Sequence, residues 1–122
     1  MTTSPHVLVV DDSDLSSLVT SRVLEHGNIR VTSVDSPEQA LMVLDVENDV
    51  KLILTIYHTL GGMSGYELLR EVKESPNLNH IPVVMVFIDE NYDDAQRCMD
   101  AGADGYIFKP IYFHMPFIMS FL

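Results

Sequence analysis

The sequence predicts a doubly wound α/β fold, in which helices cover both faces of a five-stranded parallel sheet. Short apolar runs alternate strictly with segments of helical periodicity along the 122 residues, and this alternation is typical of parallel strands joined by right-handed crossovers. The strand-like runs are almost continuously apolar, as expected when both faces of a sheet are covered. The length is that of one domain, residues 1–122, with its own core.

The first two strand–helix units are marked by clear boundaries. Val7–Val10 is predicted to be a buried strand, followed by a helix that Ser13 caps and Gly27 ends. Ile29–Val34 is predicted to be the second strand. The run Ser-Pro-Glu-Gln at 36–39 begins the second helix. It supplies a capping hydroxyl, a proline at the first helical position and, three residues after the serine, a glutamine that can hydrogen-bond back to the cap. The helical spacing of the first helix is carried by Leu15, Leu18, Val19 and Val23.

The third unit begins with a strand at Leu52–Ile56 and continues into an irregular loop at Tyr57–Ser64. A helix then runs from about Tyr66 and ends near Ser75–Pro76. Val83–Ile88 is predicted to be the fourth strand, because it is a nearly continuous apolar run.

The last units are shorter. A helix at Asn91–Ala101 carries Cys98 at the inward spacing with Ala95, which favours a small core residue. Tyr106–Phe108 is predicted to be the fifth strand. The final helix is predicted to be short, because Pro116 can begin a helix but not lie inside one.

The composition excludes several classes of function. Seven Lys and Arg against eighteen Asp and Glu leave a formal charge of −11, which argues against binding to nucleic acid or to anionic lipid. The single cysteine excludes an internal disulfide and indicates a reducing compartment. No signal peptide is expected, and the apolar tail Ile111–Leu122 is short of the ~20 residues that span a bilayer. We therefore expect a cytoplasmic or nuclear protein without a membrane segment.

The residues at the strand ends carry the candidate chemistry, because the carboxyl ends of parallel strands share one edge of the sheet. These residues are Asp11, Asp12, Ile56, Phe87 with Ile88, and Lys109.

Two interpretations of the charged residues remain open at this point. The adjacent carboxylates of Asp11 and Asp12 suit Mg²⁺, which takes one or two carboxylates and keeps several waters. Alternatively, they only cap and charge the first helical turn. Lys109 suits a phosphoryl oxygen, or else it forms a salt bridge with the acidic pair.

Four segments resemble the receiver domain of response regulators, and more narrowly the short plant type-A regulators of cytokinin signalling. They are VLVVDDS at 7–13, GYELL at 65–69, IPVV at 81–84 and GADGYIFKP at 102–110. The resemblance implies the flavodoxin-like receiver fold and a place in a His-to-Asp phosphorelay. It also implies two acids that bind Mg²⁺, an aspartate that accepts phosphate from a histidine phosphotransfer protein, and a hydroxyl and a lysine that sense the phosphate.

Only part of that site matches residue by residue. Asp11, Asp12 and Lys109 match the family pattern, whereas the acceptor position is Ile56 and the hydroxyl position is Phe87. The following loop also departs, with one extra residue around its two glycines. Because isoleucine has no nucleophilic oxygen, the chain is predicted to be phosphorylation-incompetent. At most a weak Mg²⁺ site, and otherwise no cofactor, is expected at the two acids.

Three alternatives depend on other residues. Asp89 after the fourth strand, or Asp49 before the third, would act as acceptor in an ordinary phospho-accepting regulator that represses cytokinin signalling. His58 would join Asp11 and Asp12 around a transition metal. The run Asp-Ser-Asp at 12–14 superficially fits a haloacid-dehalogenase-like phosphatase, although the Ser or Thr that such an enzyme needs on a later strand is missing. We expect a binding module, not an enzyme.

The expected partner is a histidine phosphotransfer protein or another signalling protein. The tail adds a second surface, which either covers the sheet edge or forms a patch for a partner or a second copy. Its apolar residues are Tyr112, Phe113, Phe117, Ile118, Met119, Phe121 and Leu122.

Overall fold

Five parallel strands alternate with five α-helices in residues 4–122, the part of the chain that the computed structural model describes. The strands are β1 (His6–Val10), β2 (Arg30–Val34), β3 (Val50–Ile56), β4 (Val83–Phe87) and β5 (Gly105–Phe108). The helices are α1 (Asp14–His26), α2 (Pro37–Val46), α3 (Gly65–Glu74), α4 (Tyr92–Asp100) and α5 (Met115–Met119), with a 3-10 turn at Ile111–His114 before α5. The predicted alternation is confirmed.

The strands lie in the order β2-β1-β3-β4-β5, so that β1, β3 and β4 are flanked on both sides. The ladders pair Val10 with Thr55, and Ile56 with Val86. Phe87 pairs with Phe108 at the end of the next ladder. The carboxyl ends of β1, β3, β4 and β5 therefore meet at one edge, as the doubly wound arrangement predicts.

The core consists of two layers, because alternate residues of a buried strand point to opposite faces. One layer packs residues such as Leu8 and Met85 beneath α2, α3 and α4. The other packs residues such as Val9 and Leu54 beneath α1 and α5. Cys98 is buried in the first layer, which confirms its predicted core position, and burial raises the pKa of its thiol to about 11.

The helical spacing predicted for α1 is confirmed, but three of its four apolar positions are exposed. Leu15, Leu18 and Val19 are 72%, 51% and 47% exposed, whereas Val23 packs partly buried against the core. Instead, Thr20 and Leu24 occupy the buried stripe of the helix. The helical period was correct, but it does not specify which of two neighbouring stripes packs on the sheet. The consequence is an apolar surface on α1 that faces solvent.

Several element ends also differ from prediction by one or two residues. β4 ends at Phe87, and Ile88 lies beyond the ladder with 75% of its surface exposed. β3 begins at Val50, two residues before the predicted start. The second helix begins at its proline as predicted, and its Ser36 hydroxyl accepts the N–H of Gln39 at 3.2 Å.

The tail forms the short last helix that was predicted. Ile111 and Ile118 are buried and cover the sheet. Tyr112, Phe113, Phe117, Met119 and Leu122 are exposed large apolar side chains. Self-association through them stays a prediction.

Among residues 4–122, no helix combines the length and apolar character needed to cross a membrane.

A polar network joins three strands at the amino edge of the sheet. The buried imidazole of His6 hydrogen-bonds the Asp49 carboxylate through Nδ1 at 2.8 Å and the Thr32 hydroxyl through Nε2 at 2.7 Å. The guanidinium of Arg30 also donates to Asp49. Asp49 is therefore at the opposite edge from Ile56, and the idea that it is an alternative acceptor is wrong, because the residue before a strand lies at the strand's amino end.

This network predicts a pH dependence of stability. The hydrogen bond from His6, followed by that from Arg30, holds the pKa of Asp49 below its usual value. A carboxylate with a lowered pKa stabilises the fold above its unfolded-state pKa of about 4, and this contribution disappears as the pH falls through the folded-state value. We expect Asp49→Asn to destabilise the protein at pH 7, and the difference in stability to shrink as the pH falls below about 4, measured by urea denaturation. A difference independent of pH would contradict this.

Candidate functional site at the carboxyl edge of the sheet

The candidate residues from four strand ends lie at one edge of the sheet. Asp11 and Asp12 directly follow β1, Ile56 is the last residue of β3, Phe87 is the last of β4 and Lys109 directly follows β5. The sheet order places β1 between β2 and β3 and places β4 between β3 and β5. The predicted convergence of these residues is confirmed.

Asp11 and Lys109 form an ion pair that is largely buried. The Lys109 ammonium lies 3.0 Å from Asp11 Oδ2, and the two side chains are 21% and 4% exposed. Asp11 also accepts the Ser16 hydroxyl at 2.6 Å and the Ser13 N–H at 3.1 Å. Lys109 in turn donates to the Ser16 hydroxyl oxygen. The salt-bridge interpretation of Lys109 thus describes the structure, and it involves Asp11 rather than both acids.

Replacing Lys109 by methionine is expected to lower the free energy of unfolding by about 1 to 2 kcal/mol. The substitution leaves the Asp11 carboxylate buried without its cation, although two hydrogen-bond donors remain. The partial exposure of Lys109 places the loss below that of a fully buried pair. Urea denaturation measures it, with Lys51→Met at an exposed β3 position as the control. Equal stability of the two variants would show that the ion pair contributes nothing.

Asp12 holds the loop that follows β3. Its Oδ2 accepts the N–H of Leu60 at 2.8 Å across 48 residues of sequence. The other end of the loop is held by Glu38, whose carboxylate accepts the N–H of Met63 at 3.1 Å. This hydrogen bond lowers the pKa of Glu38. The Thr59 hydroxyl donates to the Met63 carbonyl at 2.9 Å and closes the loop on itself. The Asp12 carboxylate therefore anchors the loop, and the N-cap of α1 is Ser13 instead.

Apolar side chains occupy the carboxyl ends of β3 and β4. Ile56 is 5% exposed and belongs to the core layer beneath α1 and α5. Phe87 is 3% exposed and stacks on Tyr57, with 5.0 Å between the ring centroids. The centroid of the Phe87 ring also lies 6.0 Å from that of Phe108 and 6.4 Å from that of Tyr106. The end of β4 is therefore the centre of an aromatic cluster.

Arg97 extends this cluster to α3 and α4. Its guanidinium donates to the Tyr57 hydroxyl at 3.1 Å and lies 3.8 Å from the centroid of the Tyr66 ring. Burial raises the pKa of Tyr57, and the arginine partly offsets this. Neither Arg97 nor Ser16 was predicted. Arg97 contacts Tyr57 across 40 residues of sequence and Ser16 contacts Lys109 across 93, and no local pattern indicates contacts over such separations.

The weak magnesium site expected at Asp11 and Asp12 stays a prediction. Mg²⁺ takes oxygen ligands in near-octahedral geometry, and three of the four carboxylate oxygens here already accept hydrogen bonds, from Ser13, Ser16, Lys109 and Leu60. Ile56 supplies no oxygen. In residues 4–122, no cluster of three or more His, Cys, Asp or Glu has the arrangement of a metal site.

His58 and Asp89 lie on the two loops at this edge. The His58 ring packs edge-on against Tyr57, with 4.8 Å between centroids, and it remains exposed. It does not form the predicted cluster with Asp11 and Asp12 in the described residues. Asp89 is exposed and lines the same small cavity as Ile56.

This fold and this edge define a receiver domain. Residues 7–115 match the family model described as the response regulator receiver domain, and the chain belongs to that family. Receiver domains are generally non-enzymatic signalling modules that interact with partners in phosphorelays. Within the Asp-Ser-Asp run at 12–14, Ser13 is the N-cap of α1 and Asp14 is the first residue of that helix.

The sequence relatives are plant response regulators of the type-A-like group. The chain is 47% identical over 120 residues to the two-component response regulator ORR8 of Oryza sativa, covering 98% of each chain. It is 49% identical over 108 residues to the two-component response regulator ORR12 of Oryza sativa subsp. japonica, covering 88% of each. The chain is thus a receiver module of two-component signalling.

The fold is also that of solved receiver structures. The chemotaxis response regulator CheY4 of Vibrio cholerae superposes with a TM-score of 0.87 at 21% identity, over 98% of this chain and 100% of the other. The receiver domain of a histidine kinase from Syntrophus aciditrophicus superposes with a TM-score of 0.86 at 26% identity, over 98% of this chain and 90% of the other. The predicted fold class is confirmed.

Proposed function

We propose that this protein is a phosphorylation-incompetent receiver module of a cytokinin-type His-to-Asp phosphorelay, acting in the cytoplasm or nucleus by binding a histidine phosphotransfer protein. The observation that carries the proposal is the side chain at the end of β3. Ile56 is almost fully buried there and contributes no oxygen. An acyl phosphate requires a carboxylate nucleophile at that position.

The arrangement of the charged residues supports the same conclusion. Lys109, which would hold a phosphoryl oxygen, is paired with Asp11 and Ser16. Asp12 is engaged with the loop that carries Leu60. The aromatic cluster around Phe87 occupies the place of a hydroxyl group. These groups stabilise one another, and the proposed module therefore has a single signalling state that does not depend on Mg²⁺.

The surface around this edge is suited to a protein partner. A phosphotransfer partner has to approach the carboxyl edge of a receiver's sheet, because the acceptor position is at that edge. Apolar side chains exposed on α1 and on the neighbouring loops can bury area on binding, at about 25 cal/mol per Å². They are Leu15, Leu18, Val19, Leu60, Ile88, Tyr112 and Phe113. We propose that this surface binds the partner without any transfer of phosphate.

The test combines a labelling assay with a binding assay. A phosphotransfer protein carrying labelled phosphohistidine is mixed with this protein and Mg²⁺, and binding is measured separately by calorimetry. We expect no transfer of label, and binding that is the same with and without Mg²⁺. Leu18→Asp should weaken binding at least tenfold, which corresponds to about 1.4 kcal/mol, because it places a charge in the apolar surface. Met42→Asp, at a 68% exposed position on α2, is the matched control.

Two results would overturn the proposal. Acid-stable, base-labile label on this protein would show that it accepts phosphate. Absence of binding to the phosphotransfer protein would show that the apolar surface serves another purpose.

A second candidate function is an ordinary phospho-accepting regulator that represses cytokinin signalling and uses Asp89 as acceptor. It is favoured by one observation, which is that Asp89 lines the same cavity as Ile56. If label appears on the protein and Asp89→Asn removes it, this function replaces the first.

A further inference from the structure

A small cavity opens between the ends of β3 and β4, where the receiver pattern would place a polar phosphate site. Its volume is about 170 Å³. Ile56, Val86 and Phe87, each at most 5% exposed, form its buried part. Tyr57, which is also buried, adds a second aromatic ring, and its ring stacks on that of Phe87. Four apolar or aromatic side chains thus line the interior.

The cavity has the size of a single aromatic ring. An apolar cavity of about 150 Å³ lined by aliphatic and aromatic side chains binds benzene, and this one has about 170 Å³. The replacement of acceptor and hydroxyl by Ile56 and Phe87 makes the cavity wall apolar. A phosphate or a metal ion gains nothing from such a wall, whereas a ring exchanges water for apolar contacts.

The polar boundary of the cavity is acidic. Asp89 lines it from the loop after β4, and this residue is exposed. Among residues 4–122, no cation forms a salt bridge with its carboxylate. Among the described residues that line the cavity, Tyr57 and His58 are the only others with titratable side chains. The formal charge of −11 adds a long-range attraction for cations.

We infer that this cavity binds a small arylalkyl ammonium ion, with its ring against Ile56 and Phe87 and its charged group at Asp89. The apolar interior selects the ring, and the carboxylate selects the cation. The inference does not depend on phosphate transfer or on the partner, since it concerns only the cavity and its acidic boundary.

The experiment is a titration of the ¹⁵N-labelled protein with phenethylamine, followed by NMR. We expect shift changes centred on residues 56–58 and 86–89, and a dissociation constant of about 1 mM, as is usual for so small a ligand. Two analogues separate the contributions of ring and charge. Phenylacetate keeps the ring but carries the opposite charge, and butylamine keeps the charge without the ring. Both should bind at least about fivefold more weakly.

A pair of variants tests the carboxylate. Asp89→Asn should weaken phenethylamine binding about fivefold, as expected for a partly exposed ion pair, and should leave neutral benzyl alcohol unaffected. Asp93→Asn removes the same charge from an exposed position on α4 outside this cavity, and it should change binding less than twofold. Equal effects of the two variants, equal binding of butylamine, or shift changes away from the cavity would each overturn the inference.

Discussion

Replacing Ile56 by aspartate is expected to give only weak phosphorylation by acetyl phosphate and Mg²⁺, whereas Ile56→Asp combined with Phe87→Ser is expected to be labelled roughly 100-fold faster. The single change supplies a nucleophilic oxygen and a further metal ligand at the end of β3. It leaves the end of β4 without a hydroxyl, and a loss of one such hydrogen-bond donor typically costs about 10²-fold in rate.

The surroundings also resist the single change. A carboxylate introduced at this 5% exposed position must ionise close to Asp11 and Asp12, and like charges at short range raise one another's pKa. Phe87 additionally fills the space next to it with a stacked ring. The second substitution removes that ring and supplies the hydroxyl, so the two changes are expected to act together rather than additively.

The matched control is Ile56→Asn, which has the shape of aspartate but no nucleophilic oxygen. Acid-stable, base-labile incorporation of label measures the reaction, and circular dichroism shows that each variant is folded. Labelling of Ile56→Asn or of the unchanged protein would place the acceptor elsewhere. Equal labelling of the single and double variants would show that Phe87 does not limit the reaction.

Substituting alanine for Gly65 is expected to lower the free energy of unfolding by about 3 kcal/mol. A Cβ atom at this position would lie 1.8 Å from the carbonyl oxygen of Ile56 and 2.9 Å from its carbonyl carbon. Both are backbone atoms of β3, so neither can rotate away as a side chain would. The N–H of Gly65 also donates to the Tyr57 carbonyl at 3.2 Å. α3 must therefore shift away from the end of the sheet.

Urea denaturation measures this loss, and Gly27→Ala is its control. A Cβ at Gly27 has its nearest contact at 3.4 Å, an ordinary van der Waals distance, so the change should be within about 0.5 kcal/mol. Because Gly65 follows the loop that carries Leu60, its substitution is also expected to weaken binding of the proposed partner. A loss below about 1 kcal/mol would show that α3 adjusts without strain.

The elements themselves could be predicted because their signals are local. The apolar run at Val83–Phe87 and the Ser36-Pro37 helix start depend on residues that are neighbours in sequence, and both are confirmed. The convergence of Asp11, Ile56 and Lys109 followed from topology, since parallel strands bring their carboxyl ends to one edge.

The sequence did not predict features for which several arrangements satisfy the local pattern equally well. A helical period places Leu18 and Leu24 on apolar stripes equally well, and only packing against the sheet decides that Leu24 is buried. Asp49 precedes β3, and its contact with His6 shows that it adjoins the amino end of the strand, opposite Ile56.

The sequence by itself determined the fold class, the order of elements and the absence of a carboxylate at position 56, because periodicity, turn residues and the chemical identity of Ile56 need no coordinates. Only the tertiary structure decided what the remaining charged residues contact. Asp11 pairs with Lys109 across 98 residues of sequence, and Asp12 anchors the Leu60 loop through one carboxylate oxygen. Such pairings depend on distances between strand ends and loops, which the packing of the whole sheet sets and no local pattern encodes.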